Sequence, residues 1–280
     1  MIKKVVNLSF AIWIAGAILA LFIIDPYMDD IDGVRVIIGI VVVIVGIGVT
    51  IFAGMKWAYK KYKVSDEQLR CLLFGGLPIT LNGESLTTFK LMWKSKKQAK
   101  NLLDMWDIHP RDAHDPTLDI LKNLSNAKVH TDFADDVYNN LIKKGITDPS
   151  DEDLKLLKHE NAQQVNRIKH GLKTYEKARK RLLSGGFTEE ILDSIDTLAA
   201  WDYGRTAIVG RFGVRAKYIY EEEAWPSIIT AAANASKDYD NWSQYWAAYV
   251  LGRAIAYGEA QRLYNTFTGK GIYGRVSFKM

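Results

Sequence analysis

The chain has 280 residues, a formal net charge of +5 and one cysteine, Cys71. A single cysteine excludes an intrachain disulfide and a multi-cysteine zinc site, and it fits a reducing compartment. Residues 1–63 hold seven Lys/Arg against four Asp and residues 64–280 hold thirty against twenty-eight, so the larger region is almost neutral and argues only weakly for nucleic-acid binding.

Residues 5–24 and 36–55 are each twenty residues without a charge. Twenty helical residues reach roughly 30 Å, the thickness of bilayer hydrocarbon. Between them runs DPYMDDIDGVR, broken by Pro26 and Gly33. The pattern predicts a hairpin of two transmembrane helices. Lys3 and Lys4 precede it, Lys56, Lys60, Lys61 and Lys63 follow it, and the turn holds four Asp against Arg35 alone. By the positive-inside rule both termini and the main domain lie in the cytoplasm of a bacterial inner membrane, with loop 25–35 periplasmic. Trp57, Tyr59 and Tyr62 suit the headgroup belt. A cleavable signal peptide fits less well, because the first apolar run is long and no small-x-small site follows it. Gly46, Thr50 and Gly54 form a small-residue stripe, as do Ala11 and Ala15; such stripes serve packing of the two spans on each other, or homo-oligomerisation through the hairpin.

Beyond the hairpin the apolar periodicity is helical. Ser65 and Gln68 make a capping box for a helix over 65–74, and 75–84 reads as a loop with room for a short extended piece. A helix over 85–107 follows, then two shorter ones near 117–128 and 132–144, the second stopped by Gly145. Pro149 opens a long helix to about residue 183. Thr188 caps one over 189–212, and two more cover about 223–236 and 242–266. The expectation is an all-α fold: the hairpin over 1–63, an N-terminal helical part over 64–148, a long helix with a C-terminal helical core over 149–266, and a basic tail over 267–280.

AWDYGRTAIVGRFGVRAKYIYEEEAW (200–225) and NWSQYWAAYVLGRAIAYG (241–258) carry a W-D-x-G-R run, an E-E-A-W helix start and a W-x-x-Y segment ending in L-G-R. With LLDMWDIHPRD (102–112), this resembles the bacterial family called domain of unknown function 1266, over roughly residues 100–258. Tyr220 stands where the family carries a small capping residue, and Pro226 follows Trp225 where a helix former is usual. The resemblance implies no activity.

Asp202 and Arg205 fall on the apolar stripe of their helix, and their i, i+3 spacing lets them meet. Arg253 follows the apolar face made by Trp246, Tyr249 and Val250. A charge on a buried face must be paired. A network of Asp202, Arg205 and Arg253, joined by Glu222 or Glu223, is therefore expected, either as a structural clamp or as a pocket for an anionic group. Trp201, Trp225, Trp242 and Trp246 serve either the core or an interface. Residues 155–181 carry nine Lys/Arg against two Glu. Lys169, Lys173, Lys177, Lys180 and Arg181 among them form a solvated face, a lipid-facing surface or a nucleic-acid contact. His109, Asp112, His114 and Asp115 share one loop without a recognised ligand spacing, so no metal site is expected there. No phosphate loop, nucleophile elbow or H-E-x-x-H occurs, and no cofactor is expected. These features point to a membrane-anchored, non-enzymatic protein-interaction module, such as an immunity or adaptor protein. The alternatives are an enzyme with an Asp/Arg cleft, and lipid or nucleic-acid binding through the basic helix.

Overall fold

The computed structural model describes residues 32–81, 84–89, 95–109, 113–158, 162–258 and 278–279. Its regular elements are all helical, as the periodicity predicts. The chain divides into two compact units, Met1–Lys63 and Val64–Met280.

In the first unit helix α1 spans Asp32–Tyr62. Val41, Ile44, Val45, Val49 and Phe52 on it are each more than half exposed. Thr50 donates its hydroxyl to the Gly46 carbonyl at 2.9 Å, within its own helix. Among the described residues, no helix is long and apolar enough to cross a membrane. The first expected span, 5–24, lies outside the described residues, so the predicted hairpin finds no support here.

In the second unit α2 (Asp66–Phe74) starts on the capping box, with the Gln68 N–H donating to the Ser65 hydroxyl at 3.1 Å. The stretch read as a loop is helical instead: α3 covers Gly76–Leu81. Its Pro78 lies in the first turn, where a missing N–H breaks no bond. The helix expected from residue 85 begins eleven residues later as α4 (Lys96–Asp104), on a second capping box of Ser95 and Gln98. Helices α5 (His114–Ser125) and α6 (Thr131–Asn140) follow. A 3₁₀ turn, Ile142–Lys144, then ends at Gly145 with φ 74°, a left-handed conformation that glycine adopts without strain.

Two helices expected to be continuous are divided. The run from Pro149 becomes α7 (Asp151–Leu154) and α8 (Ala162–Ser184). The run from Glu189 becomes α9 (Glu189–Asp193) and α10 (Ala200–Ala216). Two neighbouring side chains of α6 take the backbone donors at these breaks. Asp136 accepts the Lys158 N–H at 2.9 Å, and Asp135 accepts the Leu198 N–H at 2.6 Å. Helix α11 (Glu221–Asp238) passes through Pro226, whose missing N–H orphans the carbonyl of exposed Glu222, and water can serve it. Helix α12 (Trp242–Tyr257) ends at Gly258, short of the expected residue 266.

Helix α10 occupies the centre, against α4, α5, α11 and α12. Its small residues permit this. A Cβ on Gly204 would stand 2.5 Å from the Tyr249 ring on α12, and one on Gly213 would stand 2.9 Å from Thr117 on α5. Helix α8 packs on α12, where the Thr174 hydroxyl donates to the Ala254 carbonyl at 2.6 Å.

Candidate functional site

Helix α10 has neighbours on several sides, so its polar residues must find partners inside the protein. Asp202 is fully buried. Its Oδ2 accepts the N–H groups of Val129, His130 and Thr131 at 3.1, 3.0 and 3.1 Å, and the Thr131 hydroxyl at 3.0 Å. These donors form the start of α6, whose N-cap residue, His130, makes no side-chain cap bond. Asp202 thus caps α6 from another helix, with its negative charge at the positive end of the helix dipole. Oδ1 accepts Arg205 Nη2.

Arg205 is 5% exposed. Its Nε donates to the Trp201 carbonyl at 2.9 Å, and its guanidinium lies 4.0 Å from the Trp201 ring centre and 4.8 Å from that of Trp106. A guanidinium only donates. Its Nη2 lies 3.0 Å from His130 Nδ1, so that nitrogen accepts and the ring proton sits on Nε2. Burial alone would raise the Asp202 carboxyl. The Arg205 charge and the backbone N–H groups of His130 and Thr131 outweigh it and hold the group at about 2. Asp202 is therefore charged across the physiological range, and its acceptor capacity is used within the protein.

The other predicted members lie elsewhere. Arg253 makes no bond to Asp202: its Nη1 donates to the Gly258 carbonyl at 3.1 Å, and its guanidinium stands 5.6 Å from the Trp201 ring. Both arginines thus approach the Trp201 ring, and the network is corrected to Asp202, Arg205 and His130. Glu222 is exposed. Glu223 works at the start of α11, where it accepts the Tyr220 N–H at 2.7 Å and meets His114 Nε2 at 2.8 Å. The Asp115 and Glu223 hydrogen bonds raise His114 above its ordinary range. His109 pairs with Asp107 at 2.8 Å, and Asp112 lies outside the described residues. Among the described residues, no group of three or more His, Cys, Asp or Glu is placed to hold a metal.

Trp201, Trp225, Trp242 and Trp246 are all buried, which places them in the core rather than on an interface. Trp225 packs on Phe89, and Trp242 on Phe74 and Phe278. Tyr257 is exposed, and its ring lies 5.1 Å from that of His130. Lys169, Lys173, Lys177 and Lys180 are exposed on α8, and Arg181 is half-buried.

Two features escaped the sequence reading. One is His130; an imidazole at an N-cap that makes no side-chain cap bond of its own signals a cap supplied from a distance. The other is a buried pair, Arg211 and Glu84, whose charged atoms stand 4.0 Å apart with both side chains inaccessible; Arg211 also donates to the Ser85 carbonyl at 2.5 Å.

The segments that build this site match a known family: residues 101–270 correspond to the family described as Protein of unknown function (DUF1266). The chain belongs to the DUF1266 family. The W-D-x-G-R run is the stretch of α10 that caps α6, and the L-G-R run is the stretch of α12 that places Arg253 over Trp201. The chain is also similar to Uncharacterized protein YbeR of Escherichia coli (strain K12), 38% identical over 56 residues, which are 20% of this chain and 24% of that protein. No solved structure matches the chain.

Proposed function

We propose that this DUF1266 protein is a non-enzymatic interaction module held at the inner face of a bacterial cytoplasmic membrane by residues 1–63. The observation that carries the reading is the state of the Asp202–Arg205 pair. Both side chains are buried and their polar atoms are turned on α6, Trp201 and His130. A general acid or base must reach its substrate, whereas this carboxylate stays charged and enclosed. Its work is to fix α6 against α10. The attachment is supported by the two uncharged twenty-residue runs, the exposed apolar side chains of α1, and the lysines that follow them. An immunity or adaptor protein is one concrete form of such a module.

The test is purification of tagged full-length protein from native membranes, with washing in alkaline carbonate. The reading expects the protein to stay in the membrane fraction and to bring down a stoichiometric protein partner. Release by carbonate removes the attachment, and turnover of a small molecule that is lost in Asp202→Asn but retained in folded Lys177→Ala removes the non-enzymatic reading.

A further inference from the structure

The predicted lysines on α8 form a single stripe. At about 100° per residue, Lys169, Lys173, Lys177 and Lys180 fall within an arc of about 80°. The buried seam of Ile168, Leu172, Tyr175, Ala178 and Leu182 lies on the opposite side. The stripe is about 16 Å long by the same geometry. All four lysines are exposed, and no carboxylate of the described residues forms an ion pair with any of them. Helix neighbours that could have neutralised them are nearly missing: Glu176 is the one acid of α8. The nearby Arg179 points differently, to Glu189 and to Asp193 at 3.2 Å, tying α8 to α9. Arg179 is therefore paired, and among the described residues the four outer lysines have no carboxylate partner.

We infer that the α8 stripe is a contact surface for the anionic headgroups of a phospholipid bilayer. The composition favours lipid over nucleic acid. Lysine is a point charge suited to a diffuse anionic surface, whereas base readout uses arginine forks and single strands stack on aromatics. No exposed Phe, Tyr or Trp stands on the described part of α8, its one aromatic, Tyr175, being buried. The inference rests on the attachment reading only in its choice of lipid as the anion. Each lysine removed is expected to weaken the contact roughly fivefold, so three weaken it about a hundredfold.

The experiment uses the full chain. A fluorophore is placed on the Lys173→Cys variant; Cys71 is buried, and burial followed by Glu67 pushes its thiol up to about 11, so it does not compete for the label. The labelled chain is reconstituted into nanodiscs of phosphatidylcholine, with and without phosphatidylglycerol, and carrying a headgroup nitroxide. Quenching is expected only in the anionic discs. It is expected to vanish at about 1 M salt, where screening falls to ~3 Å, and in the combined Lys169→Glu, Lys177→Glu, Lys180→Glu variant with unchanged helical circular dichroism. Equal quenching in both discs, or none in the anionic ones, overturns the proposal. Vesicle flotation separates it from the attachment. A chain that floats only with phosphatidylglycerol, and is released by salt, keeps the stripe and removes the anchor. A chain that floats with both lipids but shows no lipid-dependent quenching keeps the anchor and removes the stripe. Lysine-dependent binding of a fluorescent oligonucleotide without quenching assigns the stripe to nucleic acid and also overturns it.

Discussion

Helices α8 and α10 both carry charge, and they place it in opposite environments. Helix α8 is amphipathic: its apolar seam faces α12 and its lysines face water. Helix α10 is enclosed, and Asp202, Arg205 and Arg211 are each at most 5% exposed. A solvated charge needs no partner and tolerates replacement. An enclosed charge must have a particular partner in a particular place, because an uncompensated ion in the interior is costly. The same residue types are thus interchangeable on one helix and specific on the other.

The most severe test of this contrast is Asp202→Ala. It strands the Arg205 guanidinium and removes the acceptor for the first N–H groups of α6. A loss of about 3–5 kcal/mol is expected in urea unfolding, a large share of a domain's ~5–15 kcal/mol. A loss below about 1 kcal/mol would show that the pair is not structural. Next is Gly204→Ala, whose Cβ meets the Tyr249 ring at 2.5 Å. It should lower stability by about 1–3 kcal/mol in the same assay, and an unchanged midpoint would mean that α10 and α12 part freely.

Acid titration is a third probe. The Asp202 carboxyl sits at about 2 in the folded chain, below the ordinary value of about 3.9. A depressed carboxyl stabilises the fold above its unfolded value and loses that contribution as pH falls through the folded one. About 2 kcal/mol should therefore disappear between about pH 4 and pH 2, and little from this group between about pH 7 and pH 5. Asp202→Asn should flatten that acid limb in urea titrations, and an identical limb in the variant would refute the assignment. The smallest effect belongs to Lys177→Ala on α8, where thermal unfolding should stay within about 0.5 kcal/mol of the parent. A larger loss would mean that the stripe holds the fold together.

The contrast also explains what the sequence made readable. Signals confined to a few adjacent residues were legible: the Ser65–Gln68 box, Gly145 after α6, and Thr188 before α9. The seam of α8 was legible because one face alone is buried. The breaks after α7 and α9 were not, since they depend on Asp136 and Asp135 reaching across the fold to donors twenty-two and sixty-three residues away. Periodicity bridged both gaps because the apolar spacing continues through them. In the site, i, i+3 spacing brought Asp202 and Arg205 together on one helix. Arg253 was misplaced because its position relative to α10 depends on how α12 packs, and a stripe on one helix says nothing of that. Glu223 was misplaced because the turn before α11 gives it local work with Tyr220 and His114. His130 requires knowledge that α6 begins beside Asp202.

That capping bond also has a consequence for synthesis. Thr131 leaves the ribosome seventy-one residues before the carboxylate that receives its N–H. At about 5–20 residues per second, the nascent chain waits roughly 4–14 s for that carboxylate. During the interval the beginning of α6 relies on water alone, so the newborn N-terminal half stays unfinished until the ribosome has delivered the C-terminal half.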